Sequence, residues 1–116
     1  MSRIVVEAST SDAAVTTILG MLRCGFEANT ARISYNLKKG LPAPEDTDMY
    51  PLILEGTLKG SSLTIPVYSV SAGYGGTGPH AMVEILNAAG FKFEDSDILT
   101  QARADFNDQI DLVYRR

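Results

Sequence analysis

The segment best suited to chemistry is a glycine-rich loop, which reads Gly73-Tyr74-Gly75-Gly76-Thr77-Gly78. Pro79 follows it and is favoured in the first turn of a helix, so the loop is predicted to connect a strand to a helix. Amides at a helix start attract anions, and glycines let a ligand approach the backbone closely. The sequence therefore predicts a phosphate or carboxylate site whose ligand-binding residues are Gly73, Tyr74, Gly75, Gly76, Thr77, Gly78 and His80.

Such a site gives two side chains a role in a small enzyme. Thr77 would bind an oxyanion, and His80 would transfer a proton. A nucleotide is one candidate ligand, because three of the glycines fit the G-x-G-x-x-G spacing and Glu94 follows at the distance of a ribose-binding acid. That fingerprint belongs to a parallel strand-helix-strand unit, whereas the strand before this loop is predicted to pair in a hairpin.

Two other interpretations of the loop require no small ligand. Its glycines can simply shape a tight connection, because glycine adopts backbone angles that other residues avoid. Alternatively, the loop binds a protein partner through Tyr74, since aromatic side chains are enriched at recognition surfaces.

The two residue types that most often bind zinc, cysteine and histidine, are scarce in this chain. Cys24 is the single cysteine and His80 the single histidine, which excludes a disulfide framework within the chain and every multi-cysteine zinc pattern. Cys24 is predicted to be a buried or half-buried thiol at the end of a helix. The alternative, a nucleophile, would need His80 close to it in space, because the thiolate is the attacking form. His80 and Glu84 share one helix face, where a solvated pair is expected. No metal and no cofactor is predicted.

Composition predicts one small domain, residues 1–116. The chain has 116 residues, 45% of them hydrophobic, which is enough for a single core. Its net charge of −4 disfavours a nucleic-acid partner, because acidic surfaces repel phosphate backbones. We expect no membrane span, because no apolar run reaches the roughly 20 residues that a span requires. Without a signal peptide, the expected location is the cytoplasm.

The first half of the chain predicts two strands and a helix. Arg3 to Ala8 carries a β-branched run typical of a strand buried on both faces or nearly so. Thr10 or Ser11 can then cap a helix that ends near Gly25, because apolar residues recur there at helical spacing. Thr30 to Lys38 alternates as a half-buried strand does. Gly40 to Pro51, with three prolines, is predicted to be an exposed loop.

The second half predicts a hairpin followed by helices. Leu52 to Lys59 and Leu63 to Val70 are two strands joined by a turn at Gly60-Ser61. Pro66 lacks an amide donor, which suggests an edge strand or a bulge. A helix follows Pro79 and stops at Gly90, and Ser96 can cap a third helix. Residues 107–114 fit either a helix or a last strand.

Consecutive strands without intervening helices favour the α+β class. We expect a mixed or mainly antiparallel sheet of four to five strands with two to three helices packed on it in two layers. Two functions are left open. One is a small non-catalytic binding or regulatory protein whose surface combines the acidic segment around Glu45 with Tyr50 and Tyr74. The other is a small enzyme or ligand-binding protein with an anion or nucleotide site at the glycine-rich loop. Neither the ligand, the partner nor the oligomeric state follows from the sequence.

Overall fold

The computed structural model describes residues 2–36, 50–71, 76–92 and 109–116. The elements occur in the order β1 (Ser2–Arg3), α1 (Ser11–Arg23), β2 (Phe26–Asn36), β3 (Leu52–Leu58), β4 (Ser61–Val67), α2 (Thr77–Ala88) and β5 (Gln109–Arg115). The strands form one sheet in the order β1-β4-β3-β2-β5. β1 pairs with β4 in parallel, and the other neighbours pair antiparallel. A mixed five-stranded sheet with two described helices confirms the predicted α+β class.

Both described helices pack on one face of the sheet. Alternate strand residues point to this face, and Ile33, Leu54 and Ile65 in the central strands are each 0% exposed. The helices contribute Ile18 and Ile85, among others, to the same apolar cluster. The two-layer arrangement follows from this alternation, as predicted. Neither of the two described helices is long and apolar enough to cross a membrane.

The helix boundaries follow the predicted capping residues. The Thr10 side chain accepts a hydrogen bond from the Ala13 N–H (3.1 Å), so Thr10 caps α1. At the end of α2, the Phe91 N–H donates to the Leu86 carbonyl (2.9 Å) and the Gly90 N–H donates to the Asn87 carbonyl (3.1 Å). This is a Schellman motif, which requires a residue in the left-handed region, and Gly90 has φ +94°.

The β3–β4 hairpin turns one residue earlier than predicted. Its turn is Lys59-Gly60, with φ values of 51° and 83°. Positive φ at both central residues is the mark of the two-residue type I′ turn, whose twist matches that of the flanking strands. Ser61, assigned to the turn from the sequence, already pairs with Leu58 in the sheet.

The prediction that the first strand is buried on both faces is wrong. β1 is the edge strand of the sheet and spans only Ser2–Arg3, followed by an isolated bridge from Val6 to Val67. Ile4 and Val5 are 44% and 39% exposed. A run of β-branched residues favours extended backbone at an edge as well as in the centre of a sheet, so periodicity alone does not separate the two.

Pro66 interrupts the ladder between β1 and β4. β4 is not the edge strand that the proline suggested, because it lies between β1 and β3. The Ile4 N–H donates to the Thr64 carbonyl (3.0 Å), and the Val6 N–H donates to the Pro66 carbonyl (2.8 Å). A continuous ladder would also have the residue at Pro66 donate to the Ile4 carbonyl, and proline has no N–H to donate. Pro66 therefore leaves one hydrogen bond between β4 and β1 unmade, and this loss shortens β1.

The end of the chain is a strand. β5 pairs with β2 over seven residues, which selects the strand alternative for this segment. β2 begins at Phe26 rather than at Thr30, and a register shift between Ala28 and Thr30 leaves Asn29 as a bulge. The predicted third helix after Ser96 and most of the predicted loop from Gly40 lie outside the described residues. At the end of that loop, Pro51 is buried, contrary to prediction.

Candidate functional site

Four of the seven predicted ligand-binding residues lie together at the start of α2. Gly76 is the N-cap, and Thr77, Gly78 and His80 belong to the first turn. The other three, Gly73, Tyr74 and Gly75, lie outside the described residues. The backbone φ angles of Gly76 and Gly78 lie outside the left-handed region.

The first turn of α2 offers few donors to an anion. Pro79 has no N–H, and the His80 N–H donates to the Gly76 carbonyl (3.2 Å). This leaves the amides of Thr77 and Gly78 as the backbone donors of the turn. Anion binding at this helix start remains a prediction.

His80 folds back onto the loop that precedes its helix. Its Nδ1 lies 2.6 Å from the Gly76 carbonyl oxygen, and a carbonyl only accepts, so Nδ1 carries the hydrogen. In the neutral ring, Nε2 is then the nitrogen that can accept a proton. His80, Glu84 and Asn87 are exposed, whereas Met82, Ile85 and Leu86 on the other side of α2 are buried. The predicted division of α2 into a polar and an apolar face is confirmed.

Gly78 has a packing role that the sequence did not reveal. A Cβ at this position would overlap the Ser71 Oγ and lie 3.3 Å from the Ser71 Cβ. Ser71 is buried, with 5% of its surface exposed. The absence of a side chain at Gly78 therefore lets α2 begin directly against the segment that leaves β4.

This packing predicts a stability effect that does not depend on any ligand. We expect Gly78→Ala to lower the free energy of unfolding by about 1–3 kcal/mol, because a well-packed site must accommodate a methyl group. In a Ser71→Ala background the same change should cost clearly less, because the overlapping oxygen is gone. Urea titrations of the four proteins of this double-mutant cycle provide the measurement. Equal costs in both backgrounds would contradict the packing role.

A second candidate site is an apolar cavity between α1 and the sheet. Its volume is about 400 Å³, within the range of about 300–1,000 Å³ typical of small-molecule sites. The sheet side is formed by Ile4, Phe26, Leu58 and Leu63, and the helix side by Thr17, Gly20, Met21 and Cys24. An adjoining hollow of about 280 Å³ shares three lining residues and extends the cavity along residues 4–8. We call the two together the α1–β1 groove.

The helix side of this groove is a stripe of α1 with helical spacing. Residues at positions 17, 20, 21 and 24 lie on one face of a helix. Gly20 lies inside the helix, and nothing lies within 4 Å of the position that its Cβ would take. Packing therefore does not require a glycine here, although a glycine inside a helix costs about 1 kcal/mol relative to alanine. This stripe was not predicted from the sequence, where the interior helical glycine at position 20 was the available signal.

Cys24 is exposed, so the prediction of a buried or half-buried thiol is wrong. It is the C-cap residue of α1, where the helix leaves the sheet surface. His80, the one histidine that could activate this thiol, is not among the residues that line the groove. Within the part of the chain that the structure describes, no group of three potential metal ligands occurs.

A third feature is an aromatic cluster on the sheet face opposite the helices. The rings of Tyr50 and Tyr68 meet edge to face, with centroids 6.1 Å apart, and the Arg3 guanidinium carbon lies 5.7 Å from the Tyr50 ring centroid. Tyr50 was predicted as a recognition residue, whereas Tyr68 and Arg3 were not. Tyr74 and the acidic segment around Glu45 lie outside the described residues.

Comparison with known proteins assigns none of these features. No protein-family model matches the chain, and neither a curated protein nor a solved structure matches it.

Proposed function

We propose that this protein is a non-catalytic binding protein that holds a small apolar molecule in the α1–β1 groove. The observation that carries the proposal is Gly20, an interior helical glycine that faces the cavity and leaves its Cβ position open. A larger residue there would occupy the cavity. Glycine weakens the helix at this position, so its presence needs another reason. The geometry supports one such reason, which is that Gly20 keeps the cavity open.

The chemistry of the lining favours an apolar ligand over a charged one. Ile4, Met21 and Phe26 present hydrocarbon, thioether and aromatic surface, and no Asp, Glu, Lys or Arg is among the described residues around the main cavity. The Thr17 hydroxyl already donates to the Ala13 carbonyl (2.8 Å), so it keeps only acceptor capacity. An acyl chain or a flat apolar molecule would bury its surface there without leaving a charge unpaired.

The proposal is tested with the neutral fluorescent probe N-phenyl-1-naphthylamine. We expect saturable binding with one probe per chain, and Gly20→Leu should weaken it at least about tenfold, since a change of about 1.4 kcal/mol already gives that factor. The matched control is Thr16→Leu, which adds the same side chain at an exposed α1 position that does not line the groove. Equal binding by both variants, or no saturable binding by the original chain, would contradict the proposal.

A second candidate function is protein recognition through the aromatic cluster. It is supported by the contact between Tyr50 and Tyr68 on the sheet face opposite the helices, since clustered aromatic side chains commonly anchor protein interfaces. The anion or nucleotide site at the glycine-rich loop is kept as a proposal from the sequence.

A further inference from the structure

The exposed apolar side chains concentrate at the β1 edge of the sheet. Among the described residues, four large hydrophobic side chains are exposed, and Ile4, Val5 and Tyr68 lie at this edge, with exposures of 44%, 39% and 47%. The fourth, Val113, lies on β5 at the opposite edge. Clustered exposed apolar residues mark interaction surfaces, whereas scattered ones are common everywhere.

Some backbone groups at this edge point away from β4, toward the position that a further strand would take. The N–H groups of Ile4 and Val6 donate to carbonyls of β4, and the Val6 carbonyl accepts from the Tyr68 N–H (2.8 Å). The peptide groups of successive residues in an extended strand point in opposite directions. Because those of Ile4 and Val6 point toward β4, those of Val5 and Glu7 point away from it. No hydrogen bond joins either backbone to another described residue.

We propose that a second copy of this chain pairs its own β1 edge with this one, antiparallel, with Val5 opposite Val5 of the second copy. The sequence of the edge is Arg3-Ile4-Val5-Val6-Glu7. In that register Arg3 lies opposite Glu7 of the second copy, and Glu7 lies opposite its Arg3. Directly opposed unlike charges stabilise strand pairs. The edge is therefore complementary to itself, as a two-fold symmetric interface requires.

Charge also distinguishes this register from its neighbours. A shift of two residues in either direction keeps the hydrogen-bonding pattern but places Arg3 or Glu7 opposite Val5. Edge strands that resist pairing carry charges that repel every incoming strand. Here the two charges are of opposite sign and symmetric about Val5, so the aligned copies gain two opposite-charge pairs that misaligned copies lack.

Side chains on both faces of the sheet fit the same arrangement. By alternation, Arg3, Val5 and Glu7 point to the face that carries Tyr50 and Tyr68, so the aromatic clusters of the two copies would flank the symmetry axis. Ile4 points to the helix face and would be covered by Val6 of the second copy. The dimer requires neither the groove ligand nor the glycine-rich loop, although Ile4 lines the groove as well as the proposed dimer interface.

The charge pairing is tested by sedimentation equilibrium of the full chain up to millimolar concentration. We expect a monomer–dimer equilibrium in which Glu7→Arg and Arg3→Glu each raise the dissociation constant about tenfold or more, because both symmetric pairs become repulsive. The double variant Arg3→Glu/Glu7→Arg should return it to within a few fold of the original. Glu84→Arg, an exposed change on α2, is the charge control. All variants should keep the far-ultraviolet circular dichroism of the original.

The register is tested by cross-linking. In an antiparallel hydrogen-bonded pair the opposed Cα atoms lie about 5.5 Å apart, inside the range of about 4.4–6.8 Å that disulfides span. In a Cys24→Ser background, Val5→Cys should therefore give a covalent dimer under mild oxidation, and Glu84→Cys should not. A chain that is monomeric at every concentration, a dimer indifferent to the charge changes, or equal cross-linking at both positions would overturn the proposal.

Discussion

Gly56→Ala is expected to lower the free energy of unfolding by about 2–4 kcal/mol, at the upper end of what one added methyl group does. A Cβ at this position would overlap the Glu27 carbonyl oxygen and lie 2.8 Å from the Glu27 carbonyl carbon and 2.9 Å from the Ala28 Cα. These are backbone atoms that cannot rotate away. The crowding arises because Gly56 is opposite the β2 bulge at Asn29.

Gly20→Ala is the matched control for this prediction. The same methyl group meets no atom within 4 Å at Gly20, so the gain in helix propensity should raise the stability by about 0.5–1 kcal/mol. Urea unfolding of both variants gives the two values on one scale. A destabilisation by Gly56→Ala no larger than a few tenths of a kcal/mol would show that the bulge and β3 are not in such close contact.

Leu54→Ala is expected to cost about 3–5 kcal/mol, because it leaves a cavity in the centre of the core. Leu54 is 0% exposed and lies between Ala31 on β2 and Ile65 on β4, on the sheet face that the helices cover. A loss of this size is a large fraction of the stability of a typical small domain, about 5–15 kcal/mol.

The neighbouring variant Ile53→Ala tests whether one face of the sheet carries the core. Ile53 is on the same strand but points to the opposite face, where it is only partly buried. We expect it to cost about 1 kcal/mol, because less apolar surface leaves water there. Thermal and urea unfolding of both variants measure the difference. Equal costs would mean that the two faces of β3 are buried to the same extent.

Much of the fold could be predicted because local physics determines it. The N-cap Thr10 and the stop at Gly90 satisfy backbone groups within a few residues of themselves, so they are visible in the sequence. The alternation along β2 is also local. What could not be predicted was the position of each strand in the sheet. The edge position of β1 depends on its pairing with β4, some 60 residues away, and short-range periodicity contains no information on such pairing.

The candidate sites were predicted less well for a related reason. The glycine-rich loop is a local pattern, whereas the α1–β1 groove joins residues of one helix and four separate segments of the sheet edge and interior. Gly20 was visible as an interior helical glycine, but its role depends on the empty space in front of it. Likewise, the self-complementary order of Arg3, Val5 and Glu7 acquires meaning only once β1 is known to be at an edge.

The placement of the outer strands also affects how the chain folds and unfolds. β2, β3 and β4 follow one another in the chain and pair as neighbours, whereas Ser2 pairs with Leu63 and Thr30 with Arg115. Joining segments that are distant in the chain requires closure of long loops, which costs entropy. We therefore expect the three central strands to form before β1 and β5 attach. For unfolding, we expect the amide hydrogens of β3 to exchange with solvent through global unfolding, and those of Ile4 and Val6 through local opening of the β1 edge.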